Sequence, residues 1–424
     1  MNVMDVPPLA TSVVAKWLLG VCLVILTGYP AAHTLASTVA ISAIFFPDAS
    51  NPHVNQFKNT TPNTGLCFTF PNYCQARGLY SIGLGVQALT QTPILANHAN
   101  IRDGAMIKVP ADERTIQVTS ERGRTADLKF KITAFSASNR TRDVRQIVGD
   151  SSISTTTANN RLWANKRWGD YAPAPCALGG SLGPTSIDAD FFWLTPEASP
   201  CGISPAFEID TLRMRNSSIS YQLIAPDPLR MDTGTYTGSM TYTVGPGGDF
   251  DYGNNLLATD NSVTINFTLE VQHTLKIELS PLADKVTLSP PGGWQQWLSQ
   301  GVRPARLEAD RIFNISASTP FSMKLQCEYL ASNQCAIQNT AGFTVPVETR
   351  VTLPQGLGYS SGESLNRVLL STTPEVIYPS QYVEKRPAML HFAVTGSHVE
   401  SIMNDHPGTK FRGNITVVWD SEIP

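Results

Sequence analysis

Between Val263 and Leu279 an inward-facing type of side chain returns at every second residue: Val263, Ile265, Phe267, Leu269, Val271, His273, Leu275, Ile277 and Leu279, with only His273 not hydrophobic. Successive side chains of a β-strand point to opposite faces, so the stretch reads as a strand with one buried and one wet face. Extended at about 3.3 Å per residue it would span about 56 Å, roughly three times an ordinary strand. A single sheet does not hold a strand of that length. The segment is therefore expected to bend near His273-Thr274 and to serve two sheets or two domains.

Similar alternation over 114–120, 127–135, 218–224, 236–244, 285–289, 311–317, 321–327, 343–353, 388–395 and 411–419 predicts further strands. Gly245-Pro246-Gly247-Gly248 and Pro290-Pro291-Gly292-Gly293 supply turn chemistry between them. Charged residues are only 15% of the chain, against roughly 25% in an average soluble domain. That is too few for a coiled coil or a solvated helix array, and the 30 glycines and 30 prolines favour many turns. Helical signal is confined to a turn or two at 185–194 and 364–371. The fold class expected is all-β, as two immunoglobulin-like β-sandwich domains in tandem. Leu279-Ser280-Pro281-Leu282-Ala283 ends the long alternating run and marks the break. It gives an N-terminal domain over 37–279, a linker over 280–283 and a C-terminal domain over 284–424.

The first 36 residues read as a secretory signal peptide. Lys16 precedes the apolar run Trp17 to Thr27, which Gly28, Tyr29 and Pro30 interrupt. The run is too short to span a bilayer, which takes about 20 apolar residues. Cleavage is expected after Ala36, with Ala32 as the competing site. Cys22 falls in the leader, leaving Cys67, Cys74, Cys176, Cys201, Cys327 and Cys335. An even number behind a leader points to disulfides in an oxidising compartment. Of the pairings open to six cysteines, 67–74, 176–201 and 327–335 are chosen because neighbours in sequence leave three separate local loops. No pair has C-x-x-C spacing and none has a histidine beside it, so no metal or other cofactor is expected.

Enzyme chemistry finds little support. Gly179-Gly180-Ser181-Leu182-Gly183 and Gly358-Tyr359-Ser360-Ser361-Gly362 match G-x-S-x-G, yet neither has the strand before it and helix after it that a nucleophile elbow needs. His273 reads as a satisfied core or boundary histidine. Asp249-Phe250-Asp251-Tyr252-Gly253-Asn254 offers oxygens of the kind Ca²⁺ takes but lacks the full ligand loop, so a polar turn is expected. Trp163, Trp168, Tyr171, Phe191, Phe192 and Trp193 read first as core and second as sugar-stacking rings. With 31 Lys+Arg against 34 Asp+Glu the net charge is -3, so no nucleic acid is expected as a partner.

The C-terminus carries the most specific pattern. Phe411, Gly413, Ile415, Val417 and Trp419 share one strand face, five residues short of Pro424. The run His406-Pro407-Gly408-Thr409-Lys410-Phe411-Arg412-Gly413-Asn414-Ile415-Thr416-Val417 resembles the terminal strand of minor tip subunits of class 5, or alternate chaperone–usher, fimbriae. These are the colonization factor antigen I tip adhesin and its relatives, including the cable-pilus initiator (CblD-like) proteins. Gly234-Thr235-Tyr236-Thr237, Thr274-Leu275-Lys276-Ile277-Glu278-Leu279, Asp284-Lys285-Val286-Thr287-Leu288 and the Cys67–Cys74 region are similar to the same family, in the same order. The similarity is closest over 230–424.

That resemblance implies an N-terminal receptor-binding domain that Thr274–Leu279 closes, and a C-terminal pilin domain that lacks one strand. A donor strand from the major pilin fills the gap, a periplasmic chaperone covers it beforehand, and an outer-membrane usher assembles the fimbria. It implies export through the periplasm to the fimbrial tip, where the chain adheres to a host glycoconjugate and starts assembly. The strand Phe411, Gly413, Ile415, Val417 and Trp419, with the carboxylate of Pro424, would dock on the chaperone. Family members that bind sugars use clustered arginines; here only Arg213, Arg215 and Arg230 lie near the corresponding stretches, and none matches residue for residue. The alternatives are a structural initiator that binds no receptor and a secreted β-rich hydrolase.

Overall fold

The computed structural model describes residues 36–279, 285–331 and 333–421. The leader apart from Ala36, the linker 280–283 and Pro424 lie outside them. The chain is all-β, with strands grouped into two sets that enclose separate hydrophobic cores.

The N-terminal set is a sheet of twelve strands. Its longest members, Thr125–Arg140 and Arg213–Ile224, run antiparallel side by side. Ser262–Val271 lies between Gly234–Thr243, antiparallel, and Ala36–Phe45, parallel. The inward row Val263, Ile265, Phe267, Leu269 and Val271 is buried throughout, as the period of two requires. The sheet wraps a core rich in large rings. Trp168 stacks on Trp193 at 4.6 Å and 9°, and Trp163 and Phe191 pack on Trp168 edge-on or tilted. These side chains are fully buried, so Trp163, Trp168, Phe191 and Trp193 are core and offer no surface for stacking, while Tyr171 is half-buried against that core.

Four local expectations are corrected. Residues 185–194 hold the strand Asp188–Leu194 instead of a helical turn. Phe191 and Trp193 face the main core while Phe192 packs on a satellite cluster around Cys67 and Cys74, so both faces are apolar and no alternation shows. Residues 364–371 hold the short strand Val368–Leu369 against Glu348–Thr352. Residues 285–289 form no strand and make only the Ser289–Glu308 bridge. Leu275–Leu279, expected to close the N-terminal domain, pairs with Arg306–Ala317 and belongs to the C-terminal sheets. Leu275 and Ile277 pack on the C-terminal core, which decides their allegiance. The long alternating run thus changes sheets at 272–274.

The C-terminal set is a sandwich. One sheet has five strands in the order Leu275–Leu279, Arg306–Ala317, Val383–Thr395, Glu348–Thr352, Val368–Leu369. The facing sheet has four, in the order Leu357–Gly358, Glu375–Pro379, Phe321–Cys327, Ile415–Asp420. Phe313, Ile315, Phe321, Met323, Ile377 and Val394 fill the space between them. Disulfides join Cys67 to Cys74, Cys176 to Cys201 and Cys327 to Cys335, with Cα–Cα distances of 5.5, 6.1 and 5.1 Å.

His273 sits where the chain passes from one set to the other. One ring nitrogen, Nε2, lies 2.8 Å from the carbonyl oxygen of Met231 on the N-terminal side. The other, Nδ1, lies 3.1 Å from Ser318 Oγ on the C-terminal side. Ser318 Oγ accepts from the Thr274 N–H at 2.9 Å. The bonds are complete with a neutral imidazole: Nε2–H donates to Met231, and the Ser318 hydroxyl donates to Nδ1. Burial holds the ring below its ordinary value of 6.5, against the upward pull of the Met231 and Pro228 carbonyls and Asp232.

Unfolded, His273 regains that ordinary value, so below it the unfolded chain binds more protons than the folded one. Its contribution is fully present above about pH 6.5 and declines as pH falls toward the depressed folded value. Melting curves between pH 7.5 and 5.0 should show the native chain losing stability faster than His273→Gln. Parallel curves would remove His273 from the joint.

Candidate functional site

Backbone N–H and C=O groups at a sheet edge are unsatisfied unless something pairs with them. In the C-terminal sandwich the edge strands of the two sheets, Leu275–Leu279 and Ile415–Asp420, flank the same opening. Ile415–Asp420 pairs on one side with Phe321–Cys327, from Cys327↔Ile415 to Ser322↔Asp420. Among the described residues no strand pairs with its other side, and none pairs with the outer side of Leu275–Leu279.

The opening is a groove of about 640 Å³. Ile277, Leu279 and Leu288 line one wall, Ile415, Val417 and Trp419 the other, and Phe313, Leu390 and Phe392 reach it from the core. Among the described residues Arg311 is the one ionisable side chain on the lining; its guanidinium is held by the carbonyls of Asp310 and Lys285. The surface is apolar and open: Leu279 is 63% exposed and Ile415, Val417 and Trp419 are each only half-buried.

The terminal segment is fixed from beneath. Trp419 packs against Phe313 at 5.2 Å and Phe321 at 5.9 Å, which ties the edge strand to both sheets. Phe411 and Gly413 precede the strand proper. Phe411 meets Phe343 and His406, closing one end of the segment. Arg412 exchanges backbone hydrogen bonds with Gln338 at 2.8 and 3.0 Å. Gly413 crosses so close to Gln334–Gln338 that an added Cβ would lie 2.7 Å from the Ala336 carbonyl oxygen. Gly413, Ile415, Val417 and Trp419 therefore come together along one wall, with Gly413 as the point of closest approach, while Phe411 lies off it against Phe343 and His406. Pro424 lies outside the described residues. Sequence reasoning missed the opposite wall, although the alternation that continues through Ile277 and Leu279 was its signal.

The arginines are dispersed. Arg215 pairs with Asp188 at 3.1 Å, and Arg140 binds the same carboxylate at 2.9 Å. Burial works against charge on Asp188, and the two guanidinium groups overcome it and hold its carboxyl below the usual range. Arg213 and Arg215 lie at the start of Arg213–Ile224. Arg230 lies beyond its other end, 88% exposed and 3.5 Å from Asp227. No arginine cluster forms from these three.

The remaining motifs resolve into structure. Asp251 is 1% exposed and paired with Arg102 at 2.7 Å; it also accepts the N–H groups of Gly247 and Gly253 at 2.8 Å. Burial opposes its charge, and these donors prevail and hold its carboxyl below the usual range. Asp249 bonds Arg114 and Thr243. Both carboxylates of the expected turn are spent on arginine, and no group of metal-ligating side chains occurs among the described residues. Ser181 lies in irregular chain with no helix after it, and Ser360 lies in the turn that the Gly358–Ser364 bridge closes.

No family model matches the chain, and no curated protein matches it. Among solved structures it is similar to a chain of the CsuC-CsuE chaperone-tip adhesion subunit pre-assembly complex from archaic chaperone-usher Csu pili of Acinetobacter baumannii. The identity is 9%, the match covers 91% of this chain and 98% of that one, and the TM-score is 0.20. A superposition this loose carries no argument, and the groove is read from its own geometry.

Gly413→Ala places a methyl group against fixed backbone. It should destabilise the C-terminal sandwich by roughly 1–3 kcal/mol, read as an earlier thermal or denaturant midpoint. Unchanged unfolding would mean that the terminal segment is not clamped there.

Proposed function

We propose that this chain is a minor tip subunit of a chaperone–usher fimbria, which accepts a donor strand at its C-terminal sandwich and carries a receptor-binding domain in front of it. The observation that carries this reading is the apolar groove between two unpaired sheet edges. A strand laid between Leu275–Leu279 and Ile415–Asp420 would satisfy backbone groups on both sides and drop alternate side chains between Ile277, Phe313, Val417 and Trp419. Each apolar side chain so buried stabilises by about 1.5–3 kcal/mol. An open edge beside exposed apolar surface invites wrong pairing, which supports a chaperone that covers it until a major pilin supplies the strand and an usher exports the product.

In this reading the N-terminal domain ends at the change of sheets near Gln272–Thr274, a few residues before the linker. The sheet there supplies its own partners, with Ala36–Phe45 beside Ser262–Val271 over ten residue pairs. It has no need of a donor and is free to bind a host glycan at the distal end. Assembly would start from such a subunit because it accepts a strand and gives none.

The test uses the full chain. A designed strand of about ten residues, apolar at alternate positions, is tethered after Pro424. It should raise the melting temperature of the C-terminal sandwich by on the order of 10 °C. The same strand with aspartate at its apolar positions should raise nothing. Equal melting for tethered and untethered chains would sink the proposal.

A further inference from the structure

A second groove opens on the N-terminal sheet, well apart from the strand-accepting one. Lys58–Asn59 is the last strand of the sheet and pairs only with Ala36–Phe45. Across a gap runs Arg213–Ile224, whose partner Tyr80–Gly83 covers it only from Ser218 to Tyr221. The far edge of Gln222–Ile224 has no ladder partner among the described residues. One side-chain bond crosses the gap: Asn59 Nδ2 donates to Tyr221 Oη at 2.9 Å. Beside it lies a groove of about 940 Å³, within the range of about 300–1,000 Å³ typical of small-ligand sites.

The lining has two kinds of surface. Tyr80, 39% exposed, lies 6.4 Å from Tyr221 with the rings tilted by 32°, and Tyr221 is backed by Phe130 at 5.5 Å. That makes a supported aromatic face. Around it stand the amides of Asn55, Gln56 and Gln222, which make no hydrogen bond to the protein among the described residues. An amide both donates and accepts, as a sugar hydroxyl does, while an aromatic face suits the C–H side of a sugar ring. Charge is balanced: the lining holds one cation, Lys58, and one anion, Asp227, and Arg230 pairs with Asp227.

We infer that this groove binds a neutral oligosaccharide, with Tyr80 as the stacking ring and Gln222 as a hydroxyl-binding amide. The inference rests on the receptor-binding role proposed for the N-terminal domain and gives that role a place and a ligand class. It sets the site away from Arg213 and from Arg215; Asp188 already takes the Arg215 guanidinium that an acidic sugar would need.

The test is an array of galactose-, glucose- and N-acetylglucosamine-terminated oligosaccharides beside sialylated and sulfated ones, probed with the full chain. Binding to neutral sugars is expected, and it should persist at about 0.5 M salt because no ion pair carries it. Tyr80→Ala should weaken that binding about tenfold, the loss expected for one aromatic contact. Gln222→Ala, at an exposed position, should weaken it severalfold with melting unchanged. Arg213→Ala and Arg230→Ala should leave it within about twofold of the native value. Three outcomes overturn the inference: no neutral sugar retained, binding unaffected by both Tyr80→Ala and Gln222→Ala, or binding confined to acidic sugars and lost with the arginines. The tethered-strand melting shift reports on the other sandwich. A blank array with that shift intact removes this inference alone.

Discussion

Everything in the chain hangs on one segment that feeds two cores. Ser262–Val271 buries Val263, Ile265, Phe267, Leu269 and Val271 in the N-terminal core. Past three intervening residues, Leu275 and Ile277 pack on the C-terminal one. The period of two continues through the change while the partner strands are replaced entirely. His273 stands at an inward position of the run yet bonds Met231 on one side and Ser318 on the other. An apolar residue there would leave the Met231 carbonyl and the Ser318 hydroxyl without that shared partner, at a cost of about 1–3 kcal/mol for each polar group left unsatisfied and buried.

The two sets of strands handle their edges in opposite ways. In the N-terminal sheet a parallel strand, Ala36–Phe45, covers Ser262–Val271 along its whole length. In the C-terminal sandwich no strand among the described residues takes the corresponding position in either sheet. The walls beside it are apolar, with a single guanidinium whose hydrogen bonds are made within its own wall. Natural edges are usually protected by charge, proline or a bulge. Here Leu279, Val286 and Ile312 stand 63, 36 and 52% exposed, so apolar surface lies open beside both edges.

The legible part of this structure was the part ruled by local periodicity. Strands such as Arg114–Ser120 and Phe321–Cys327 alternate because one face is wet, and the sequence exposes that directly. Asp188–Leu194 hid because both its faces are covered, by the tryptophan core and by the Cys67–Cys74 cluster. Residues 285–289 misled for the converse reason: Val286 and Leu288 alternate because they line a groove, without any ladder. The wall formed by the terminal segment was legible from Gly413 to Trp419, with Phe411 falling outside it. The opposite wall was not, since Leu275–Leu279 continues an N-terminal pattern and only the fold reveals that its partner is Arg306–Ala317. Nor does sequence spacing bring Tyr80 beside Tyr221, which strand pairing sets opposite each other, or Asn59 onto Tyr221, which a side-chain bond does; each meeting spans more than a hundred residues.

The low charge of the chain takes a specific meaning from where its charges are spent. Arg102 is committed to Asp251, Arg114 to Asp249, and Arg140 with Arg215 to Asp188. The carboxylates of these pairs are largely buried, and removing either partner strands the other, so these arginines are not free for a ligand. Arg213 and Arg230 lie toward opposite ends of Arg213–Ile224, and Arg230 is paired with Asp227. The uncommitted polar groups that do converge are amides, beside tyrosine rings and next to an unpaired sheet edge. At the two grooves the means of recognition are apolar fit and neutral hydrogen bonds, for the strand proposed in the C-terminal one and for the sugar proposed in the N-terminal one.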